Sequence, residues 1–311
     1  MIEANLLRSP RLRSGDLVRL LSPASYPTSA AIDAYIKVLE DWGLRCDVGV
    51  HALDKFGYMA GSDAERLADL NDAFRNPQVR AIITTRGGAG AYRIADDIDF
   101  AAVRADPKPI VGFSDITYLH LSLLTRCQLG SIHGCLVGAK AVASVKQLLM
   151  SAEPITLCRE PAAVSAAVQF AGKARGRLIG GNLPALATSI GVRMPSLSGA
   201  ILFLEAHRVA GLGMVDRHLT QLLRSGVLDG VVGVALGSFE GFRDFADRGW
   251  TIIDVLKDRL GQLGVPVLGG LDAGHNLSDA NGRPDQTAMP LGSLATLDVA
   301  AGTLTIDPIV Y

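Results

Sequence analysis

The sequence has no excess of charge of either sign. It carries 30 Lys and Arg residues against 31 Asp and Glu residues, a formal net charge of −1 over 311 residues. Such a chain, without a basic run, has no electrostatic footprint for nucleic acid or for an anionic membrane. Intrinsic disorder is also excluded, because 49% hydrophobic residues at this net charge can offset the entropy lost on ordering. We therefore expect a folded protein that binds a small molecule, with no nucleic acid and no membrane partner.

Metal-binding and redox motifs are also missing. The cysteines, Cys46, Cys127, Cys135 and Cys158, form no C-x-x-C pair, which argues against a zinc ribbon or a dithiol site. We predict that they are buried apolar residues. The histidines form no H-x-x-x-H or H-E-x-x-H arrangement, so we predict neither a catalytic metal nor a cofactor.

Long hydrophobic runs do not occur. The N-terminus has no apolar segment behind a basic start, and no stretch of about 18 apolar residues is found along the chain. These absences lead us to expect a soluble, cytoplasmic protein.

The first half of the sequence alternates strand-like apolar runs with helical periodicity. Strand candidates lie at residues 17–21, 46–50, 81–84 and 109–111. Amphipathic helices lie between them, and one begins at a capping box formed by Ser62 and Glu65. This alternation predicts an N-terminal α/β domain with a parallel sheet, over residues 1–150.

The second half follows a different pattern. Residues 151–175 lose the periodicity and become rich in Ala and Pro, so we predict an interdomain linker there. Beyond it, a buried strand at 200–204 is followed by helical segments, further strands and a C-terminal hairpin. Residues 176–311 are therefore predicted to form a β-rich, mixed α/β domain.

Glycines follow the strand candidate at 81–84 in the run Arg86-Gly87-Gly88-Ala89-Gly90. Ligands of open α/β sheets bind beyond the carboxyl ends of the strands. Glycine there lets the backbone approach a ligand and present N–H groups to a phosphate or an oxyanion. The run departs from the dinucleotide fingerprint G-x-G-x-x-G, and a tight turn without a ligand is the simpler alternative.

Ser114 follows the next strand candidate, in Gly112-Phe113-Ser114-Asp115, just before an apolar helix. A serine on a sharp strand-to-helix turn has its hydroxyl raised out of the sheet, as in a nucleophile elbow. The usual pattern G-x-S-x-G is incomplete, because Ile116 occupies the second glycine position. Capping of the helix by Ser114 or Asp115 is an equally good interpretation.

Three polar residues of the second half follow apolar segments. Glu205 ends the strand at 200–204, so its carboxylate must be hydrogen-bonded, paired or protonated unless it is exposed. His275 follows a glycine-containing loop, and a structural role is its alternative. Asn182 precedes a short helical run, where it serves as a helix cap or contacts a substrate.

Ser114, Glu205 and His275 together supply the residue types of nucleophilic acyl transfer. The serine needs a base to remove its proton, and the imidazole needs a carboxylate to fix its tautomer. The negatively charged intermediate needs N–H donors. Candidates for these donors are Gly87, Gly88 and Asp115.

At these residues the chain resembles the LD-carboxypeptidase family of serine peptidases, which also contains the microcin C immunity peptidases. The matching motifs run in family order over nearly the whole chain. They are Gly15-Asp16-Leu17-Val18, Ser22-Pro23-Ala24-Ser25, Gly57-Tyr58-Met59-Ala60-Gly61, Arg86-Gly87-Gly88, Gly112-Phe113-Ser114-Asp115, Ile179-Gly180-Gly181-Asn182-Leu183, Phe203-Leu204-Glu205 and Gly274-His275.

The resemblance implies a nucleophile at Ser114, a base at His275 and an orienting carboxylate at Glu205, with Gly88 and Asp115 amides at the oxyanion. It implies that the serine lies in an N-terminal α/β domain and that a C-terminal β-rich domain carries the other two, so that the triad assembles across the interface. The implied reaction releases the terminal D-alanine of a murein tetrapeptide during peptidoglycan recycling. Family members commonly form homodimers.

The sequence departs from the family pattern at two places. Relatives usually read Arg-Gly-Gly-Tyr-Gly, whereas Ala89 replaces the tyrosine here and Tyr92 comes three residues later. The loop at 276–287 is long and polar and is a candidate for shaping substrate choice; its charged residues are Asp279, Arg283 and Asp285. We also consider Arg86 as a bidentate partner of the substrate carboxylate, with an ion pair to a structural Asp as the alternative.

Two other functions are compatible with the sequence. A microcin C-type immunity amidase would cleave an aminoacyl-nucleotide conjugate, but such members tend to carry extra sequence between the serine and the glutamate. The separation of Ser114 and Glu205 here is short, which favours the murein substrate. A non-catalytic ligand-binding protein or a nucleotide-dependent oxidoreductase is the alternative from another class.

Overall fold

The N-terminal part of the chain is built on a largely parallel sheet. The computed structural model describes residues 6–192, 194–243, 245–278, 280–282 and 284–311. The strands of this sheet, numbered along the chain, are β1 (Leu17–Leu21), β2 (Arg45–Val48), β3 (Val79–Thr84), β4 (Ile110–Gly112), β5 (Ser131–His133) and β12 (Met289–Leu291). Their order is β12-β5-β4-β3-β1-β2, and only the β12–β5 pair is antiparallel among them.

Helices connect these strands, and some of them begin at start signals that can be read in the sequence. They are α1 (Ser29–Asp41), α2 (Asp63–Arg75), α3 (Phe100–Ala105), α4 (Thr117–Cys127) and α5 (Ala139–Met150). The Thr28 side chain caps α1, and Ser62 and Glu65 form the predicted capping box of α2. The central strand β3 is almost entirely buried, with Ile82 and Ile83 at 0% exposure.

The C-terminal part contains a mixed sheet. Its strands are β6 (Ile155–Cys158), β7 (Gln169–Phe170), β8 (Lys173–Asn182), β9 (Ala200–Glu205), β10 (Gly233–Leu236), β11 (Val267–Leu268), β13 (Leu294–Asp298) and β14 (Thr303–Ile306), in the order β6-β14-β13-β8-β9-β10-β11-β7. The four strands from β8 to β11 are parallel, and the outer pairs are antiparallel. The helices are α6 (Leu183–Thr188), α7 (Leu212–Arg224) and α8 (Ile252–Leu260).

The chain separates into two units that are not continuous in sequence. The N-terminal unit contains residues 6–152 together with Ala288–Gly292 and Pro308–Tyr311, whereas the C-terminal unit contains Glu153–Thr287 and Ser293–Asp307. Strand β12 belongs to the N-terminal unit because it pairs with β5. The segment predicted as a linker, 151–175, contains strands β6 and β7.

The predicted fold class is confirmed, since a parallel α/β unit is followed by a mixed α/β unit richer in strands. The prediction of four buried cysteines is wrong for Cys158, which is exposed, and for Cys46, which is half-buried. Cys158 lies on β6, an edge strand, where alternate side chains face solvent and only Leu157 is buried. In the described part of the chain, no helix is both long enough and apolar enough to cross a membrane.

Candidate active site

Ser114 occupies a strained turn in the N-terminal unit. Strand β4 ends at Gly112, and Ser114 begins a single helical turn that leads into α4. The φ angle of Ser114 is +64°, a left-handed value that is uncommon for residues other than glycine and is found at functional turns. Neither Ser114 nor Asp115 caps α4 with its side chain, so the capping interpretation is wrong. The geometry instead matches the raised serine of a nucleophile elbow.

The glycine loop, residues Gly87–Gly90, lies directly against Ser114. A Cβ atom added at Gly87 would lie 2.7 Å from Ser114 Cβ and 3.2 Å from its Oγ. Gly88 has a φ angle of +105°, and a Cβ there would overlap the Ser25 hydroxyl. Ser25 in turn holds the loop, because its N–H donates to the Gly87 carbonyl and its Oγ accepts from the Ala89 N–H, both at 3.2 Å. Only glycine fits this backbone close to the serine hydroxyl.

Asp115 holds the far end of the same loop. Its carboxylate is buried, and Oδ2 accepts a hydrogen bond of 2.7 Å from the Ala91 N–H. Burial raises the pKa of Asp115 to about 6, although the Ala91 N–H and the Arg66 guanidinium favour the charged form. The side chain next to the candidate nucleophile is therefore tied to the glycine loop.

Arg86 and Tyr92 flank the glycine loop. The Arg86 guanidinium is exposed and donates to the Tyr26 carbonyl at 3.3 Å, and it forms no ion pair with any carboxylate in the described ranges. Tyr92 is 45% exposed, its hydroxyl lies 3.3 Å from that of Tyr58, and its ring packs edge-on against Tyr118. Tyr92, which comes three residues after Ala89, therefore packs beside the first turn of α4.

Two buried histidines, which the sequence reasoning did not single out, lie behind the serine turn. His120 Nε2 lies 2.8 Å from the Gly112 carbonyl, and the His120 and His133 ring centroids are 6.4 Å apart. Burial lowers the pKa of His120 to about 3, so the ring is neutral and its Nε2–H donates to Gly112. The signal for His120 in the sequence is weak, because a polar residue in an apolar helix usually indicates only a satisfied core position.

Glu205 and His275 are brought together in the C-terminal unit. Glu205 ends β9 at 0% exposure, so the interpretation of an exposed strand end is wrong. Its Oε2 accepts from His275 Nδ1 at 2.6 Å and from the His275 N–H at 3.0 Å. A buried carboxylate bonded to Nδ1 fixes the neutral tautomer with its lone pair on Nε2, the state that a general base requires.

The residues around this pair keep it in place. Asn182 does not cap α6 with its side chain but donates from Nδ2 to Glu205 Oε1 at 3.0 Å. Gly274 has a φ angle of +114°, and a Cβ there would lie 2.7 Å from Glu205 Cβ. Packing is close enough that the chain can deliver His275 to Glu205 only through a glycine.

His207 is a neighbour that the sequence reasoning dismissed. Its ring packs edge-on against that of His275, with centroids 5.0 Å apart, and its Nδ1 accepts from the Val209 N–H. Burial and the nearby His275 lower the pKa of His207, so it contacts the candidate base as a neutral ring.

The loop at 276–287 forms hydrogen bonds that involve the residues next to His275. Asn276 Nδ2 donates to the Glu240 carbonyl at 3.2 Å, and Gln286 Oε1 accepts from the Gly274 N–H at 2.8 Å. Asp285 is buried, whereas Asp279 and Arg283 lie outside the described residues. The loop therefore supports the backbone that carries His275.

One group of His and carboxylate side chains in the described part of the chain has its ligand atoms close together; it consists of His51, Asp54 and Glu65. These atoms already have partners, because His51 Nδ1 bonds to Asp54 and Glu65 Oε2 accepts from the Ser62 N–H. The group also lies at the N-terminus of α2, where the helix dipole opposes a cation. The prediction that no metal takes part in catalysis stays a prediction.

Comparisons with known proteins agree on one family. Residues 18–134 match the LD-carboxypeptidase N-terminal domain, and residues 175–297 match the LD-carboxypeptidase C-terminal domain. A putative carboxypeptidase of Streptomyces coelicolor is 37% identical over 97% of this chain and 96% of its own length. A probable murein peptide carboxypeptidase of Bacillus subtilis is 33% identical over 95% of this chain and 93% of its own.

Two further similarities concern function and structure. The microcin C7 self-immunity protein of Escherichia coli is 27% identical over 88% of this chain and 90% of its own length. The crystal structure of a muramoyltetrapeptide carboxypeptidase from Oxalobacter formigenes superposes with a TM-score of 0.82 at 27% identity, covering 95% of this chain and 100% of that one.

Proposed function

Because the chain belongs to the LD-carboxypeptidase family of peptidases, we propose that it is a serine carboxypeptidase that releases the terminal D-alanine of murein tetrapeptides. The observation that carries this proposal is the 2.6 Å hydrogen bond between His275 Nδ1 and the buried Glu205 carboxylate. The strained turn at Ser114 supports it from the other unit. The murein peptide named for the Bacillus subtilis relative supports the substrate class.

In the proposed mechanism, Ser114 Oγ attacks the carbonyl of the peptide bond between the L-centre and D-alanine. His275 Nε2 takes the serine proton and gives it to the leaving D-alanine amine, while Glu205 stabilises the imidazolium. The Gly88 and Asp115 N–H groups hold the oxyanion. Water, activated by His275, then releases the tripeptide from Ser114. Ser114 and His275 belong to different units, so the mechanism requires both units to contribute to one site.

Substrate binding is assigned by charge and position. We propose that the exposed Arg86 guanidinium binds the terminal carboxylate of the peptide, and that the Gly87 backbone lies along the substrate. The sequence predicts that Asn182 is a helix cap or a substrate contact. Because its side chain donates to Glu205, we propose that it positions this carboxylate.

The test is release of D-alanine from L-Ala-γ-D-Glu-meso-diaminopimelate-D-Ala, with S114A as the catalytic control. The same peptide ending in L-alanine is the control for stereochemistry. Release by the wild type from the D-alanine peptide alone supports the proposal. If a folded protein that reacts with a fluorophosphonate probe releases nothing, the proposal is wrong, and the aminoacyl-nucleotide amidase becomes the better assignment. Neither release nor labelling would favour a binding protein.

Cytoplasmic location and a homodimer are also part of the proposal. Both follow from the resemblance to the family and from a role in recycling imported murein peptides. Cell fractionation and analytical ultracentrifugation test them, and a periplasmic or monomeric protein would refute the corresponding part.

A further inference from the structure

A buried arginine holds a backbone carbonyl group of the glycine loop. The side chain of Arg66, on α2, is fully buried, and its Nη1 donates to the Gly90 carbonyl at 2.8 Å and to the Pro23 carbonyl at 2.6 Å. Nη2 donates to Asp63, which balances its charge. The last residue of the loop is therefore fixed to α2.

Asp115 holds backbone N–H groups at the end of the same loop. The carboxylate accepts from the Ala91 N–H at 2.7 Å, and the Gly90 N–H also favours its charged form. Asp115 directly follows Ser114, so this single side chain connects the serine turn with the backbone that carries Gly88. Oxyanion stabilisation depends on N–H donors held within a few tenths of an ångström, and a displaced loop weakens it.

We propose that Asp115 is a positioning residue, whose carboxylate fixes the glycine loop relative to Ser114 through its hydrogen bond with the Ala91 N–H. This inference rests on the proposed function, because it assigns the loop to oxyanion binding. It goes beyond that function by giving the Asp115 side chain a positioning role that is separate from the role of the base His275.

The surroundings of Asp115 explain why its charge is easily lost. Burial raises the pKa of Asp115 to about 6. The charged and titratable groups that face it are Arg66, from α2, and Tyr92, from the turn Ala91–Arg93. Asp63 pairs with Arg66 and with Arg93, so it lowers the net positive charge available to Asp115. Below about pH 6 the carboxyl is neutral, and its hold on the two N–H groups weakens.

The first measurement needs no substrate. We expect hydrogen exchange of residues 87–93 in the wild type, corrected for intrinsic rates, to lose about tenfold in protection between pH 7.5 and 5. D115N should show the low protection at both pH values. D69N is the matched control, because Asp69 is another buried carboxyl of the same unit that accepts a backbone N–H and has a raised pKa. It should behave like the wild type. Protection independent of pH in the wild type overturns the inference, whatever the protein cleaves.

The second measurement is the pH profile of D-alanine release. The wild type should lose kcat/KM with a steeper slope below pH 6 than D115N does, because the Asp115 carboxyl must be deprotonated in the wild type. In D115N the part of the slope that is due to Asp115 should be absent, and kcat at pH 8 should fall about 10- to 100-fold with KM little changed. A D115N enzyme with the wild-type kcat and slope overturns the inference. If protection of residues 87–93 depends on pH but the protein releases no D-alanine, the proposed function is wrong, whereas the hold of Asp115 on the glycine loop is supported.

Discussion

The proposed mechanism combines residues of two units, an N-terminal half around Ser114 and a C-terminal half around Glu205 and His275, and the two halves are constructed from different parts of the polypeptide. In the N-terminal unit, the surroundings of Ser114 are mainly backbone, with a left-handed serine and two glycines that leave no room for a Cβ atom. In the C-terminal unit, Glu205 and His275 are joined by side-chain hydrogen bonds, and Asn182 adds another. The first half is thus sensitive to added volume, whereas the second half is sensitive to the loss of a single acceptor or donor.

The largest expected effect is the loss of the nucleophile. S114A should reduce kcat/KM for D-alanine release by about 10⁴- to 10⁶-fold, because no other group replaces the attacking oxygen. Thermal unfolding should show an intact fold, since the backbone strain at φ +64° is the same for Ala as for Ser. Wild-type turnover in S114A would show that the N-terminal half does not supply the nucleophile.

The corresponding change in the C-terminal half is E205Q. The amide cannot accept from Nδ1 as a carboxylate does, and it no longer stabilises the imidazolium, so kcat should fall by about 10³- to 10⁴-fold. Steady-state kinetics should show little change in KM. A loss below tenfold would mean that Glu205 has a structural role only.

A larger side chain at Gly88 tests the steric constraint on the glycine loop. G88A should lower kcat by about 10²- to 10³-fold, because the added Cβ overlaps Ser25 and displaces the amide that we propose binds the oxyanion. G15A is the matched control, since Gly15 has a φ angle of +88° but no atom within 4 Å of an added Cβ. It should lose about 1 kcal/mol of stability, the usual penalty for a left-handed alanine, without loss of activity. Equal activity of the two variants would refute the steric argument.

The last effect concerns stability in acid rather than turnover. His120 remains neutral in the folded protein down to about pH 3, whereas an unfolded histidine binds a proton near pH 6.5. The buried neutral ring therefore contributes stability above pH 6.5 that is lost progressively as the pH falls towards 3, up to roughly 5 kcal/mol. Urea unfolding of wild type and H120Q between pH 7.5 and 4 measures it. The difference between the two should shrink as the pH falls; a constant difference would contradict the linkage.

The sequence was sufficient to predict which strands and turns carry the candidate site residues, but not which side chains contact one another. Ser114 could be located because an apolar strand, a glycine and an apolar helix are adjacent in the chain, and Glu205 because it ends a fully apolar strand. The bond between Glu205 and His275 spans 70 positions, and no local pattern encodes such a distance. The hydrogen bond from Asn182 to Glu205 was not predicted for the same reason, and the prediction that Asn182 caps α6 is wrong.

Other features depend on tertiary packing alone. Strand β12 has only three residues, Met289–Leu291, and its return to the first sheet is determined by pairing with β5 rather than by periodicity. The hold of Arg66 and Asp115 on the glycine loop was not predicted, because charged residues in helices are usually exposed. Strands β6 and β7 are short and lie in an Ala- and Pro-rich segment, which conceals them from pattern analysis.

In the proposed mechanism, Glu205 and His275 of the C-terminal unit activate Ser114 of the N-terminal unit. The rate of covalent labelling of Ser114 measures this activation most directly. The rate at which a fluorophosphonate modifies Ser114, followed by intact mass, should fall to the background rate in H275A and by about 10³-fold in E205Q. The control is H218A, which removes a buried histidine of α7 and should keep the wild-type rate. Labelling of Ser114 in H275A at the wild-type rate would contradict the claim that the two units form one catalytic triad.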